Sequence, residues 1–240
     1  MVVESRDVLS RPAPPPDHTV RYGPDPDQIA DVRGPAATDL PMIVILHGGF
    51  WRPEWDRTHT GPLAAALAEI GYPVAQLEYR RGAGWAAMAD DVVSGVAALA
   101  DRYGPPLLLG HSAGGQLALW YAGAPATRAR GVVALAPVAD LAEAYRLDLD
   151  DGAVAALFGG APDEAADPCR RVPIKLPSVI LHGGGDRYVP IDLSRRLTDL
   201  DHAAGGASSL VELPQVGHFA LIDPEAATWT EVTTALRSLH

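Results

Sequence analysis

The 240-residue chain contains a single cysteine, Cys169. One thiol excludes an intrachain disulfide and any multi-cysteine metal site, and it fits a reducing compartment. Basic charge is also short: 19 Lys and Arg face 30 Asp and Glu, a formal net charge of -11. Phosphate backbones and anionic membranes select basic surfaces, so a small molecule is the expected partner, with no nucleic acid and no membrane. No stretch reaches the roughly 18 apolar residues of a membrane span. The start, MVVESRDVLSRPAPPPDH, has no basic segment leading into an apolar one, as a secretory signal would. A soluble, cytoplasmic protein is expected. Phosphate loops of the GxxxxGK type and HExxH clusters are missing, and GGGDRY has neither the spacing nor the strand context of a dinucleotide fingerprint, so no cofactor and no metal is expected. Internal repeats are absent, and nothing in the sequence reports the oligomeric state.

What is present is alternation. From residue 40 onward, short apolar runs alternate with longer helical patterns, the mark of a mostly parallel sheet with helices on both faces. The strand candidates are Met42–Leu46, Val74–Leu77, Leu107–Leu109, Gly131–Leu135, Ser178–Leu181 and Leu210–Leu213. Helices are expected near Gly61–Ile70, Trp85–Arg102, Gln116–Ala122, Ile191–His202 and Pro224–Leu239. Upstream, Thr19–Tyr22 and Gln28–Val32 flank the turn-rich GPDPD and suit an antiparallel edge hairpin. Pro12 to Pro16 read as extended chain, so residues 1–18 are expected to be a flexible tail and 19–240 one α/β domain.

Ligands of such sheets bind beyond the carboxyl ends of the strands, where HGGFW, HSAGG, HGGGDRYVP and PQVGHFALIDP all fall. Ser112 sits in Gly110-His111-Ser112-Ala113-Gly114, a GxSxG sequence in a strand, turn and helix setting that would hold a nucleophile on a strained turn. The alternative is a glycine-rich turn with an N-capping serine. A serine hydroxyl needs a base and an orienting acid. Asp186, after the penultimate strand, and His218, after the last, complete the order serine, acid, histidine. Asp140 is the rival acid, while His47, His111 and His182 suit supporting roles near strand ends. Backbone donors for an oxyanion are expected from Ala113, directly after the nucleophile, and from Gly49 and Phe50 in HGGFW.

These residues together resemble the α/β-hydrolase superfamily from about Val20 onward. Within it, HGGFW is similar to the HGGxW motif of kynurenine formamidases and related small esterases. Phe50 replaces the third glycine that hormone-sensitive-lipase-like esterases show there. The resemblance implies an α/β-hydrolase fold and a cofactor-free serine hydrolase that cleaves a small carboxylic ester or an arylformamide through an acyl-enzyme on Ser112. It also implies a small cap at residues 137–177, between strands 6 and 7, with helices near Asp140–Leu147 and Ala153–Phe158. Trp51 and Phe219 are candidate pocket residues, with core packing as the alternative. Two other readings stay open. One is a biosynthetic tailoring enzyme using the same triad for lactone opening, dehydration or acyl transfer, and the other is a non-catalytic binding protein of the same fold.

Overall fold

The computed structural model describes residues 5–240. Its eight strands are β1 His18–Arg21, β2 Ile29–Arg33, β3 Ile43–Leu46, β4 Val74–Leu77, β5 Leu107–His111, β6 Gly131–Leu135, β7 Ser178–Gly183 and β8 Ser209–Leu213. They form one sheet in the order β1-β2-β4-β3-β5-β6-β7-β8. The β1–β2 hairpin is antiparallel and joins β4 antiparallel, while β4, β3, β5, β6, β7 and β8 run parallel. Parallel neighbours need crossovers, and helices supply them: α1 Gly61–Glu69, α2 Trp85–Tyr103, α3 Ala113–Ala122, α6 Asp192–Ala203 and the closing α7 Trp229–Arg237.

Unbroken apolar strands require burial on both faces. Ile43, Ile45, Leu107, Leu109, Val133 and Leu135 pack with α1 and α7 through Leu63, Leu67, Val232 and Leu236. Their strand neighbours Val44, Leu46, Leu108, Val132 and Ala134 face the other way, toward Val92 and Val96 of α2, Leu117 of α3 and Leu197 of α6. At about 1.5–3 kcal/mol per fully buried aliphatic side chain, this two-sided packing holds the strands between their helices.

Between β6 and β7 lies the short cap, with α4 Leu141–Arg146 and α5 Leu149–Phe158. Asp140 caps α4, its Oδ1 accepting from the Glu143 amide at 2.9 Å. Asp150, Asp151 and Gly152 at the start of α5 have left-handed backbone.

Three expectations differ from the structure. Helix α3 begins at Ala113, three residues before the expected start, because Gly114 and Gly115 are helical positions pressed against β3 and Pro137; a Cβ on Gly114 would strike the Leu46 carbonyl. Helix α7 begins at Trp229 rather than Pro224, and Thr228 Oγ1 instead donates to the Ala220 carbonyl at 2.6 Å. The expected flexible tail is packed. Residues 1–4 of it lie outside the described residues, but Asp7–Leu9 form a 3-10 turn that buries Val8 beside Leu63, Phe219 and Leu221. Arg11 then grips Asp223 with two bonds of 2.6 and 3.1 Å, and the Pro14 carbonyl accepts from Arg33. Proline fixes the shape of this segment, while Val8 and Arg11 attach it to the body.

Candidate active site

Ser112 stands between the end of β5 and the start of α3 with φ 55° and ψ -118°. A non-glycine residue holds such a conformation only where its surroundings dictate it, at a cost of about 1–3 kcal/mol. Here the Ser112 amide donates to the Leu135 carbonyl at 2.8 Å, and its own carbonyl accepts from Gln116 and Val138. Close approach does the rest, because a Cβ on Gly110 would collide with the Gly114 carbonyl. The hydroxyl thus sits at the N-terminus of α3, whose first amides have no intrahelical acceptors.

Asp186 follows β7 and His218 follows β8, and the sheet brings them together: His218 Nδ1 lies 2.6 Å from Asp186 Oδ2. A carboxylate oxygen only accepts, so Nδ1 carries a proton and Nε2 is the ring nitrogen left for other partners. Asp186 Oδ1 accepts from the Tyr188 and Val189 amides at 2.8 and 2.9 Å. Burial alone would push this carboxyl up, but hydrogen bonds from His182 and His218 and the nearby His218 charge hold it below the usual carboxylate range. His111 Nε2 donates to the His218 carbonyl at 3.2 Å, and its ring centroid lies 4.5 Å from that of His218. Asp140, the rival acid, caps α4 and faces Arg196 at 3.0 Å instead.

The HGGFW loop leaves β3 with three consecutive left-handed residues, Gly49 at φ 108°, Phe50 at 47° and Trp51 at 58°. Beneath it is a buried charged network. Glu78 accepts from the Arg57 amide and guanidinium, pairs with Arg81, and lies 3.0 Å from His47 Nε2. His47 also stacks on Tyr79 with ring centroids 4.4 Å apart, and Tyr79 Oη donates to the His47 carbonyl.

Ser112 and His218 line one cavity of about 100 Å³ together with Gly49, Phe50 and Phe219. That space holds about three water volumes. Trp51, a pocket candidate with core packing as the alternative, is buried in the core cluster and does not line this cavity. Its left-handed backbone turns the indole under the loop, where Nε1 donates to Gln116 at 3.2 Å and the ring borders a neighbouring cavity of about 90 Å³. Sequence reasoning missed His59, Tyr188, Leu9 and Arg6 and assigned no place to Trp55, and all five line the Ser112 cavity. Tyr188, two residues after Asp186, was the one with a positional signal. Burial holds His59 neutral, lowering its pKa to about 3, and pushes His111 well below the ordinary histidine value.

Among the described residues, one buried group has the makings of a metal site: Asp140, Asp167 and Cys169 present ligand atoms within 4.8 Å of one another. Asp140 is ion-paired with Arg196, and the other two residues are hydrogen-bonded. Asp167 accepts from the Cys169 and Ala142 amides, and Cys169 Sγ donates to the Ala139 carbonyl. Burial, reinforced by the two acids, pushes the Cys169 thiol up, away from the thiolate a metal requires. This group ties the segment before β7 to the start of the cap.

The strand order, the two covered faces and the strained serine between β5 and α3 define the α/β-hydrolase fold. No protein-family model and no curated protein matches the chain. Solved structures do match in fold. Esterase B from Lactobacillus rhamnosis, an inhibited form, superposes with a TM-score of 0.78 at 23% identity, covering 95% of this chain and 88% of that one. A truncated carbohydrate esterase from gut microbiota gives 0.74 at 18% identity, covering 93% and 100%. A thermophilic esterase from the Planctomycetes species Thermogutta terrifontis, with propionate bound, gives 0.71 at 21% identity, covering 92% and 91%. Among the described residues, no helix is long and apolar enough to cross a membrane.

Proposed function

We propose that this chain is a serine hydrolase that cleaves small carboxylic esters or arylformamides through an acyl-enzyme on Ser112. The observation that carries the reading is one cavity shared by a serine on a strained turn and a histidine whose Nδ1 donates to a buried carboxylate. His218 Nε2 takes the Ser112 proton as the oxygen attacks the carbonyl carbon, and Asp186 holds the ring in that tautomer and stabilises the imidazolium. The amide of Ala113, with those of Gly49 and Phe50, accommodates the oxyanion of the tetrahedral intermediate. His218 then gives its proton to the departing alcohol or amine, and water, activated by the same nitrogen, releases the acyl group.

A cavity of about 100 Å³ favours short acyl groups, down to the formyl of an arylformamide. Neighbours of the same fold point the same way, one solved with butyrate bound and another inhibited by a tributyrin phosphonate. The arylformamide branch rests on HGGFW, which resembles the kynurenine formamidase motif.

A fluorophosphonate probe tests the nucleophile: Ser112 is labelled and Ser112→Ala is not, and persistent labelling of the variant overturns the reading. A series of p-nitrophenyl esters from acetate to octanoate, run beside N-formylkynurenine, tests the substrate. Turnover is expected to fall beyond butyrate. Fast ester cleavage with no formamide cleavage removes the arylformamide branch.

A further inference from the structure

Arg6 occupies the roof of the Ser112 cavity. Its Cζ lies 5.4 Å from the ring centroid of Phe219 and 5.9 Å from those of Trp55 and Tyr188. Cation–π contact holds a guanidinium by its face and leaves the N–H groups on its edge for other partners. Among the described residues no carboxylate pairs with Arg6. The acid on the cavity wall, Asp150, belongs to Arg52, with Nε and Oδ2 2.7 Å apart. The placement is anchored on the C-terminal side by Val8 in the core and by the Arg11–Asp223 pair. In a chain of net charge -11, it puts a permanent cation at the mouth of the cavity.

The side of the substrate that meets Arg6 follows from proton transfer. His218 must protonate the leaving group, so the leaving group lies against the His218 ring. Tyr188 and Phe219 flank that ring, with centroids 5.4 and 5.1 Å away, and they are two of the three rings that carry Arg6. We infer that Arg6 is a specificity-determining residue that binds a carboxylate on the leaving group, so that the preferred substrate is a small ester or formamide whose alcohol or amine part is anionic. The inference rests on the serine hydrolase reading for the direction of the substrate, and on the Arg6 contacts for its charge.

The test pairs 4-acetoxybenzoate with its neutral methyl ester and compares the anionic-to-neutral ratio of kcat/KM in the wild type, Arg6→Gln and Arg6→Lys. Arg6→Gln is expected to lower the ratio about tenfold or more, mainly through KM of the anion, as loss of a charge-assisted hydrogen bond predicts. Arg6→Lys keeps the charge but not the planar fork, and its ratio is expected to fall between the two. A ratio within twofold of wild type in Arg6→Gln overturns the inference. A second readout needs no turnover: calorimetric binding of 4-hydroxybenzoate and of methyl 4-hydroxybenzoate to Ser112→Ala, with and without Arg6→Gln. Tighter binding of the anion that disappears with Arg6 upholds the site even where neither ester is cleaved, which would count against the hydrolase reading alone. Equal binding of acid and methyl ester overturns the Arg6 site even where both esters are cleaved.

Discussion

The floor and the roof of the Ser112 cavity are built on different terms. The floor comes from the carboxyl ends of β3, β4, β5, β7 and β8, and three of its polar side chains are almost fully buried: Ser112 at 2% exposure, His218 at 2% and Glu78 at 1%. Each of them is held by strand hydrogen bonds, strained backbone or buried charge. The roof comes from the N-terminal turn and the start of the cap, where Arg6 and Asp150 are exposed and are held by ring faces and a solvent-facing ion pair. Removing one partner from a buried polar network strands the others at several kcal/mol, whereas an exposed pair contributes about 0–1 kcal/mol. The floor can therefore set the chemistry, while the roof is free to vary in what it admits.

The largest expected effect sharpens that division. Ser112→Ala should lower kcat/KM on a short p-nitrophenyl ester by about 10⁵- to 10⁶-fold, because the triad acts as a unit. Asp186→Asn should follow at about 10⁴-fold, since an amide can present its NH₂ to His218 Nδ1 and trap the wrong tautomer. Steady-state kinetics on both variants checks this, and a loss below tenfold in either would mean that the floor does not carry the reaction.

The floor was also the part legible in the sequence. Strand ends and the GxSxG turn are local patterns that survive reading one residue after another, and the order Ser112, Asp186, His218 follows from which strand each residue comes after. The α3 start was misplaced because Gly114 and Gly115 look like turn residues, and only the close approach of β3 makes them helical. Trp51 was left between pocket and core because its direction depends on a positive φ that a tryptophan does not advertise. The roof was invisible for a different reason. Arg6 meets Phe219 across more than two hundred residues, and Pro12 to Pro16 suggested a loose tail where a buried Val8 and an Arg11–Asp223 pair make an attached one.

Stability should divide the same way as catalysis. Glu78→Gln leaves Arg57 and Arg81 facing a neutral group in the buried network under the HGGFW loop, and about 3–5 kcal/mol of stability is expected to go. Asp150→Asn breaks the exposed roof pair with Arg52 and should cost no more than about 1 kcal/mol. Urea midpoints of the two variants test the comparison directly. Equal losses would show that the roof is as firmly built as the floor.

The last comparison is a pH dependence that belongs to the floor. Burial keeps His59 neutral in the fold down to about pH 3, and it depresses His111 in the same direction. Below the ordinary histidine pKa of 6.5 the unfolded chain binds a proton at each site that the folded chain does not, so stability falls as pH falls. The window for His59 opens near pH 6.5 and runs toward pH 3, with a slope of up to about 1.4 kcal/mol per pH unit for each such histidine. Asp186 has the opposite limit: its carboxyl is depressed, so its contribution is complete above the ordinary value of 3.8 and is lost only in stronger acid. Thermal midpoints at pH 7, 6 and 5 therefore sample the histidines and not the triad acid, and they should decline. His59→Gln should flatten that decline, while Arg6→Gln in the roof should leave its slope unchanged. A midpoint constant from pH 7 to pH 5 would mean that the buried histidines gain protons without strain, and the floor would then be softer than its packing implies.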